Sequence, residues 1–332
     1  YASHVDDRGY LRYAGFAMAR MHACLLFIAL IGSRWPLVAV EPTEPLDVVL
    51  VQYEVDPAHY ATLSQFQERI DAIVAQAVAD SHPDLIVFPE YTSVFALFSE
   101  FITPEGQVEL ERISPQVLTL LDSEDEVIAA DEAHRFIRRR AQRFAEEILE
   151  IWSAVAAEHE VWILAGSGFV PAAEGGIYNR AWVFDRSGDL AYHQDKVFLT
   201  AFERENLGVV SGSVESAELF SVEGIDLALT ICRDSYFDAW EEQFSEADAW
   251  IDVRANGETY SAAVRRRFNT ALPERVEQTA VPLGISTSLN GRFLELFWQG
   301  PAFVVDDEGE RIAESPTVDG TYLMEVEIPE AH

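Results

Sequence analysis

Val48-Val-Leu-Val-Gln-Tyr53 follows the linker Glu41-Pro-Thr-Glu-Pro45, two prolines and two acids between apolar segments. A short apolar run bounded in this way reads as a strand buried on both faces. His59 to Asp80 then reads as a helix, with Leu63, Phe66, Ile70, Ile73, Ala77 and Val78 on one face. His82-Pro83 stops it, and Asp84-Leu-Ile-Val-Phe-Pro-Glu90 is a second buried strand. Strand, helix, strand in this order predicts a right-handed crossover in one sheet.

Working outward, residues 93–131 read as an irregular surface excursion, with the acidic cluster Asp122-Ser-Glu-Asp-Glu126. A long amphipathic helix is expected from Asp131 to His159. Short strands follow at 161–165, 178–184, 189–193, 226–231, 249–253, 283–287, 302–305 and 321–326. Asp185-Arg-Ser-Gly188 and Asp306-Asp-Glu-Gly309 read as hairpin turns. Alternation of helix and strand, then many short strands, predicts a layered α/β fold with two sheets. The compact domain is expected over 46–332, behind a tail at 1–45.

The tail holds Ala23-Cys-Leu-Leu-Phe-Ile-Ala-Leu-Ile-Gly-Ser33, an apolar run preceded by Arg8, Arg12 and Arg20 and followed by acids. It has the length of a signal-peptide core, and with residues 34–40 it reads equally as an anchor or a last membrane helix. Localisation is therefore open between cytoplasmic and exported or anchored with the domain outside. The chain has 57 acidic and 23 basic residues, a formal charge of −34. Such a chain repels nucleic acid and anionic lipid, and it carries no basic patch. With 332 residues, 49% of them hydrophobic, it has ample material for a core.

Three polar residues stand where the local pattern does not want them. Glu90 closes a buried strand, Lys196 closes Tyr192-His-Gln-Asp-Lys196, and Cys232 closes Leu227-Ala-Leu-Thr-Ile-Cys232. Strand ends in α/β sheets face the crevice where ligands bind. Each residue also has a plain reading: a turn acid, a lysine reaching solvent, a core thiol. Two cysteines in all leave no disulfide framework and no thiol-rich zinc site, and the eight histidines show no metal-ligand spacing. Together the three form a chemically complete set. A buried carboxylate can take a thiol proton, a thiolate can attack a carbonyl, and an ammonium with a backbone N–H can hold the resulting oxyanion.

With those residues in place, the chain from about Leu46 to Ile328 resembles the carbon–nitrogen hydrolase (nitrilase/amidase) superfamily. Leu85-Ile-Val-Phe-Pro-Glu90 is similar to its glutamate strand, Lys196-Val-Phe-Leu-Thr-Ala-Phe-Glu203 to its lysine segment, and Leu229-Thr-Ile-Cys-Arg-Asp234 to its cysteine elbow. Tyr178-Asn-Arg-Ala181 and Phe297-Trp-Gln-Gly-Pro-Ala302 also fit. The resemblance implies a four-layer α-β-β-α sandwich with two mixed sheets. It implies Cys232 as nucleophile, Glu90 as acid and base, Lys196 with the Arg233 backbone N–H at the oxyanion, and Glu203 holding Lys196 or the substrate amide. It implies a small amide or nitrile substrate, no cofactor, and chains that pair into a homo-oligomer. The sequence departs from the family at Leu199 or Thr200, where proline is common, at Arg233, where an aromatic is common, and at Pro301, where serine is common. The late stretch Pro273-Glu-Arg-Val-Glu-Gln278 matches only loosely. An acyltransferase working on the same three residues is a second reading, suggested by the N-terminal apolar run.

Overall fold

The computed structural model describes residues 44–109, 112–113, 126–279 and 281–329. The tail with its apolar segment at 23–40, and the acidic cluster up to residue 125, lie outside the described residues. Among the described residues no helix is long and apolar enough to cross a membrane.

The chain opens with β1 (Leu46–Val55), α1 (Leu63–Ser81) and β2 (Leu85–Val87), and β1 and β2 pair in parallel. Helix α1 begins where Thr62 accepts a hydrogen bond from the Gln65 N–H, and it ends at His82 in the left-handed conformation, one residue before Pro83. Helix α2 (Glu126–His159) follows. Strands β3 (Trp162–Pro171), β4 (Ile177–Phe184) and β5 (Leu190–Asp195) then extend the first sheet, β3 parallel to β2 and the last two antiparallel.

The second half adds β6 (Phe220–Val222), β7 (Ile225–Ile231), α3 (Glu241–Phe244), β8 (Ala249–Arg254), α4 (Ala262–Phe268), α5 (Leu272–Thr279), β9 (Leu283–Phe293), β10 (Leu296–Trp298), β11 (Phe303–Asp306) and β12 (Arg311–Glu314). Strands β7, β8 and β9 are parallel neighbours at the centre of the second sheet. The last strand, β13 (Tyr322–Ile328), returns to the first sheet, antiparallel to β1. The two sheets meet where Tyr53–Val55 of β1 runs parallel to Leu289–Gly291 of β9.

The alternation of side chains along β1 builds the layers. Val49, Val51 and Tyr53 face α1 and α2, against Phe66, Ile70, Phe144, Ile148 and Trp152. Leu46, Val48 and Leu50 face the other way and meet Leu227, Leu229, Ile231, Ile251 and Ile285 of the second sheet. On the far side of that sheet, Ala228 and Trp250 pack on Phe244, Leu272 and Val276. Three apolar layers thus separate helix, sheet, sheet and helix, which is the expected α-β-β-α sandwich. Gln52 is the polar exception on β1. It is fully buried and satisfied, accepting from Ser315 Oγ at 2.6 Å and donating to Gly320 O at 3.0 Å.

Three expectations need correction. Residues 94–101 are not surface: they form a 3₁₀ helix that buries Val94, Phe95, Ala96 and Leu97, because its apolar residues pack into the α1–α2 layer. Lys196 stands one residue beyond β5, not at its last position. Three short strands (β6, β10, β12) and the helices α3, α4 and α5 gave no sequence signal, since segments of three to eight residues carry too little periodicity to read.

The inter-sheet layer is closely packed, and Leu229 in it is completely buried. Leu229→Ala is expected to cost about 2–5 kcal/mol of unfolding free energy in urea titration. Leu190, 48% exposed at the start of β5, should tolerate the same change within about 0.5 kcal/mol.

Candidate active site

The chain places Glu90, Lys196, Glu203 and Cys232 together at one end of the two sheets, although Glu90 and Cys232 are 142 positions apart in sequence. Glu90 follows β2 through Phe88-Pro89. Gly166, at φ +63°, lets β3 pass this strand end, because a Cβ there would lie 2.0 Å from the Pro89 carbonyl oxygen. Glu90 is 1% exposed. Its Oε1 accepts from Lys196 Nζ at 2.7 Å and from Asn179 Nδ2 at 2.9 Å. Its Oε2 is buried with no hydrogen-bond partner among the described residues. The Cys232 side chain and the charge of Glu203 also act on this carboxyl.

Lys196 is also 1% exposed, and its Nζ is shared with Glu203 Oε1 at 2.8 Å. The backbone positions it: Lys196 N donates to Asn179 O at 2.8 Å. Glu203 has its own donors. Tyr91 OH reaches Oε1 at 2.6 Å, and Oε2 accepts from the Thr200 N–H at 2.8 Å and the Thr200 hydroxyl at 3.0 Å. The ring of Tyr91 lies 5.9 Å from Lys196 Nζ.

Burial and charge act on these groups in opposite senses. Desolvation pushes Glu90 up to about 7, against the pull of Lys196 and with a further push from Glu203. Desolvation also acts to raise Glu203, but Lys196, Tyr91 and Thr200 override it and hold the carboxyl below its ordinary range. Burial alone would lower Lys196; the two carboxylates reverse that and keep it firmly protonated. The pair of glutamates is therefore split, one fixed as an anion and one able to exchange a proton near neutrality.

Cys232 begins a 3₁₀ turn, Cys232–Tyr236, directly after β7. Its φ is +53°, a left-handed conformation that a residue with a Cβ adopts only under constraint. The constraint is visible. Asp234 accepts from the N–H groups of Val197 at 3.1 Å, Phe198 at 2.7 Å and Ile231 at 3.4 Å, tying the elbow to the lysine segment. Ser235 Oγ donates to Cys232 O at 2.9 Å and receives Arg254 Nη2 at 3.2 Å, and Arg254 forms a buried ion pair with Asp252 on β8. Burial first, and then the charge of Glu90, push the Cys232 thiol well up. The group is thus held in its thiol form.

Cys232 opens onto a cavity of about 480 Å³ lined by Thr200, Arg233, Tyr236, Phe237, Asn256 and Arg267, among others. Asn179, Tyr91 and Asp234 belong to the site and carried no assigned role in the sequence reading. Tyr91 follows Glu90, Asp234 closes the quoted elbow segment and Asn179 sits in the quoted segment before the lysine, but residue type alone did not mark them there. Among the described residues no group of three His, Cys, Asp or Glu side chains has metal-holding geometry.

The carbon–nitrogen hydrolase family profile matches residues 48–328. Among solved structures, a carbon–nitrogen hydrolase from Helicobacter pylori G27 superposes with a TM-score of 0.62 at 17% identity, over 85% of this chain and 89% of that one. The amidase from Nesterenkonia sp. AN1, in complex with acrylamide, gives 0.58 at 17% identity over 86% and 91%. Nit3 of Saccharomyces cerevisiae, a member of branch 10 of the nitrilase superfamily, gives 0.58 at 17% over 87% and 91%. No curated protein sequence matches the chain.

Removing the cation from this cluster should be costly. Lys196→Met leaves two buried carboxylates unpaired and is expected to lower unfolding free energy by about 3–5 kcal/mol at pH 8. The raised pKa of Glu90 sets the sign: the loss should shrink as pH falls through about 7, because a protonated Glu90 no longer needs the cation. Urea titrations at pH 8 and pH 5.5 measure both values.

Proposed function

The chain belongs to the carbon–nitrogen hydrolase family, and we propose that it hydrolyses the C–N bond of a small linear amide through a thioester on Cys232. The observation that carries this reading is the Lys196 ammonium, buried and shared by two carboxylates, beside a strained cysteine that opens onto a cavity. The Nesterenkonia amidase adds support from outside, since its active-site cysteine takes up the acetamide moiety of fluoroacetamide.

The steps follow from the protonation states. With an amide carbonyl above Cys232, ionised Glu90 takes the thiol proton as sulfur attacks carbon. The carbonyl oxygen becomes an oxyanion, facing the Lys196 ammonium and the backbone N–H of Arg233 in the first turn after β7. Fixed donors in a dry site stabilise that charge more than water would, because they need not reorganise as it forms. The oxyanion collapses, the C–N bond breaks, and Glu90 returns its proton to the leaving nitrogen, releasing ammonia. Water then enters, gives a proton to Glu90 and attacks the thioester. Collapse of this second oxyanion breaks the C–S bond, and the thiolate recovers its proton from Glu90 as the carboxylic acid leaves. Glu203 stays ionised throughout and holds Lys196 in place, with Asn179 and Tyr91 fixing the two carboxylates.

Base catalysis requires Glu90 in its ionised form, so kcat/KM should rise with pH through a midpoint near 7. Glu90→Gln should reduce ammonia release by about 10²-fold or more. Cys232→Ala should abolish it while leaving the circular dichroism spectrum and unfolding midpoint of the protein in place. Incubation with a mixed amide and nitrile panel, read by intact mass, should show an acyl adduct on the wild type and none on Cys232→Ala. Unchanged turnover in Cys232→Ala would overturn the proposal.

A further inference from the structure

The residue after the nucleophile is an arginine without an ionic partner. Arg233 lines the cavity that opens at Cys232, and among the described residues no carboxylate pairs with it. Other described arginines, Arg266 and Arg292 for example, also form no carboxylate pair, but of these Arg233 is the one on the wall of the cavity at Cys232. The other arginine of the cavity, Arg267, is neutralised by Glu258 of the same cavity at 3.2 Å. Among the described residues Glu258 is the one acid on the cavity wall, and its charge is paired with Arg267.

Arg233 is exposed, and its side chain rests against an aromatic one. Its guanidinium carbon lies 5.6 Å from the centre of the Phe237 ring. Phe237 stacks face to face on Phe198 at 3.8 Å and 8°, and Phe198 meets Trp240 edge-on. Phe198 is in turn fixed through its N–H by Asp234. A guanidinium resting on an aromatic face keeps its N–H edges free for a planar anion, which is how arginine recognises carboxylates. A field of −34 charges repels anions at long range. A neutral amide would need no local cation in this cavity; an anionic one would.

We propose that the side chain of Arg233 binds a carboxylate on the substrate, so that the preferred substrates are amides carrying a carboxylate a few carbons from the scissile C–N bond. This deepens the amidase reading and rests on it. The side chain acts in selectivity and is distinct from the Arg233 backbone N–H, which any residue would supply.

The test uses the full chain and pairs of amides of matched length: succinamate, glutaramate and adipamate against butanamide, pentanamide and hexanamide. At least one charged amide should exceed its neutral partner by about tenfold or more in kcat/KM, mainly through KM. Arg233→Gln should collapse the ratio of charged to neutral turnover, and Arg233→Lys should restore part of it. The same pairs, titrated calorimetrically into Cys232→Ala and into Cys232→Ala with Arg233→Gln, report binding without chemistry. Charge-selective binding lost with Arg233, but no turnover of any amide, would keep the carboxylate subsite and overturn the amidase reading. Turnover of both series with no charge preference, or a preference that survives Arg233→Gln, would overturn the subsite and keep the amidase reading.

Discussion

A single buried ammonium between two carboxylates organises this protein. Lys196, Glu90 and Glu203 are each about 1% exposed, so bulk solvent reaches almost none of the three charges. Burying charges is costly unless each is paired and hydrogen-bonded. Asn179, Tyr91 and the two donors of Thr200 supply the remaining bonds. The result is asymmetric. Glu203 has enough donors to stay ionised, whereas Glu90 keeps one bare oxygen and is pushed to about 7. The same desolvation that strains the cluster brings the Glu90 carboxyl into the neutral range and pushes the Cys232 thiol up.

That arrangement depends on both sheets at once. Glu90 and Lys196 hang from the first sheet and Cys232 from the second. Asp234 spans the gap by accepting from the backbone beyond β5 and from the end of β7. Gln194 does the same one step earlier, donating to Leu229 O at 2.7 Å. Cys232 can hold a φ of +53° because these bonds, with Ser235 and Arg254 behind it, over-determine the turn. The apolar layer between the sheets and the polar bridges at their ends therefore act together: they fix the distance between Cys232 and Glu90.

Much of this was legible in the chain. β1 and β2 read as buried strands because both of their faces are covered, by helices on one side and by the second sheet on the other. Glu90, Lys196 and Cys232 showed as polar breaks at the ends of apolar runs. Residues 94–101 misled, since a short 3₁₀ segment has no period by which to tell a core excursion from a loop. Asn179 and Asp234 carried no distinct sign: an amide inside a strand and an acid after an elbow are ordinary until their partners are known. The Arg233 side chain, as distinct from its backbone N–H, looked like a departure from the family pattern and nothing more.

The sequence by itself determined the layers and the inventory of reactive groups. Apolar periodicity is local, and a carboxylate, an amine and a thiol at strand ends are visible as residue types. Only the tertiary structure decided their states. Which glutamate gives up its proton, why the thiol stays protonated, and which arginine reaches the cavity beside Cys232 all follow from burial and from segments far apart in the chain. Electrostatic energies depend on distance and desolvation in three dimensions, and no spacing along one dimension encodes them.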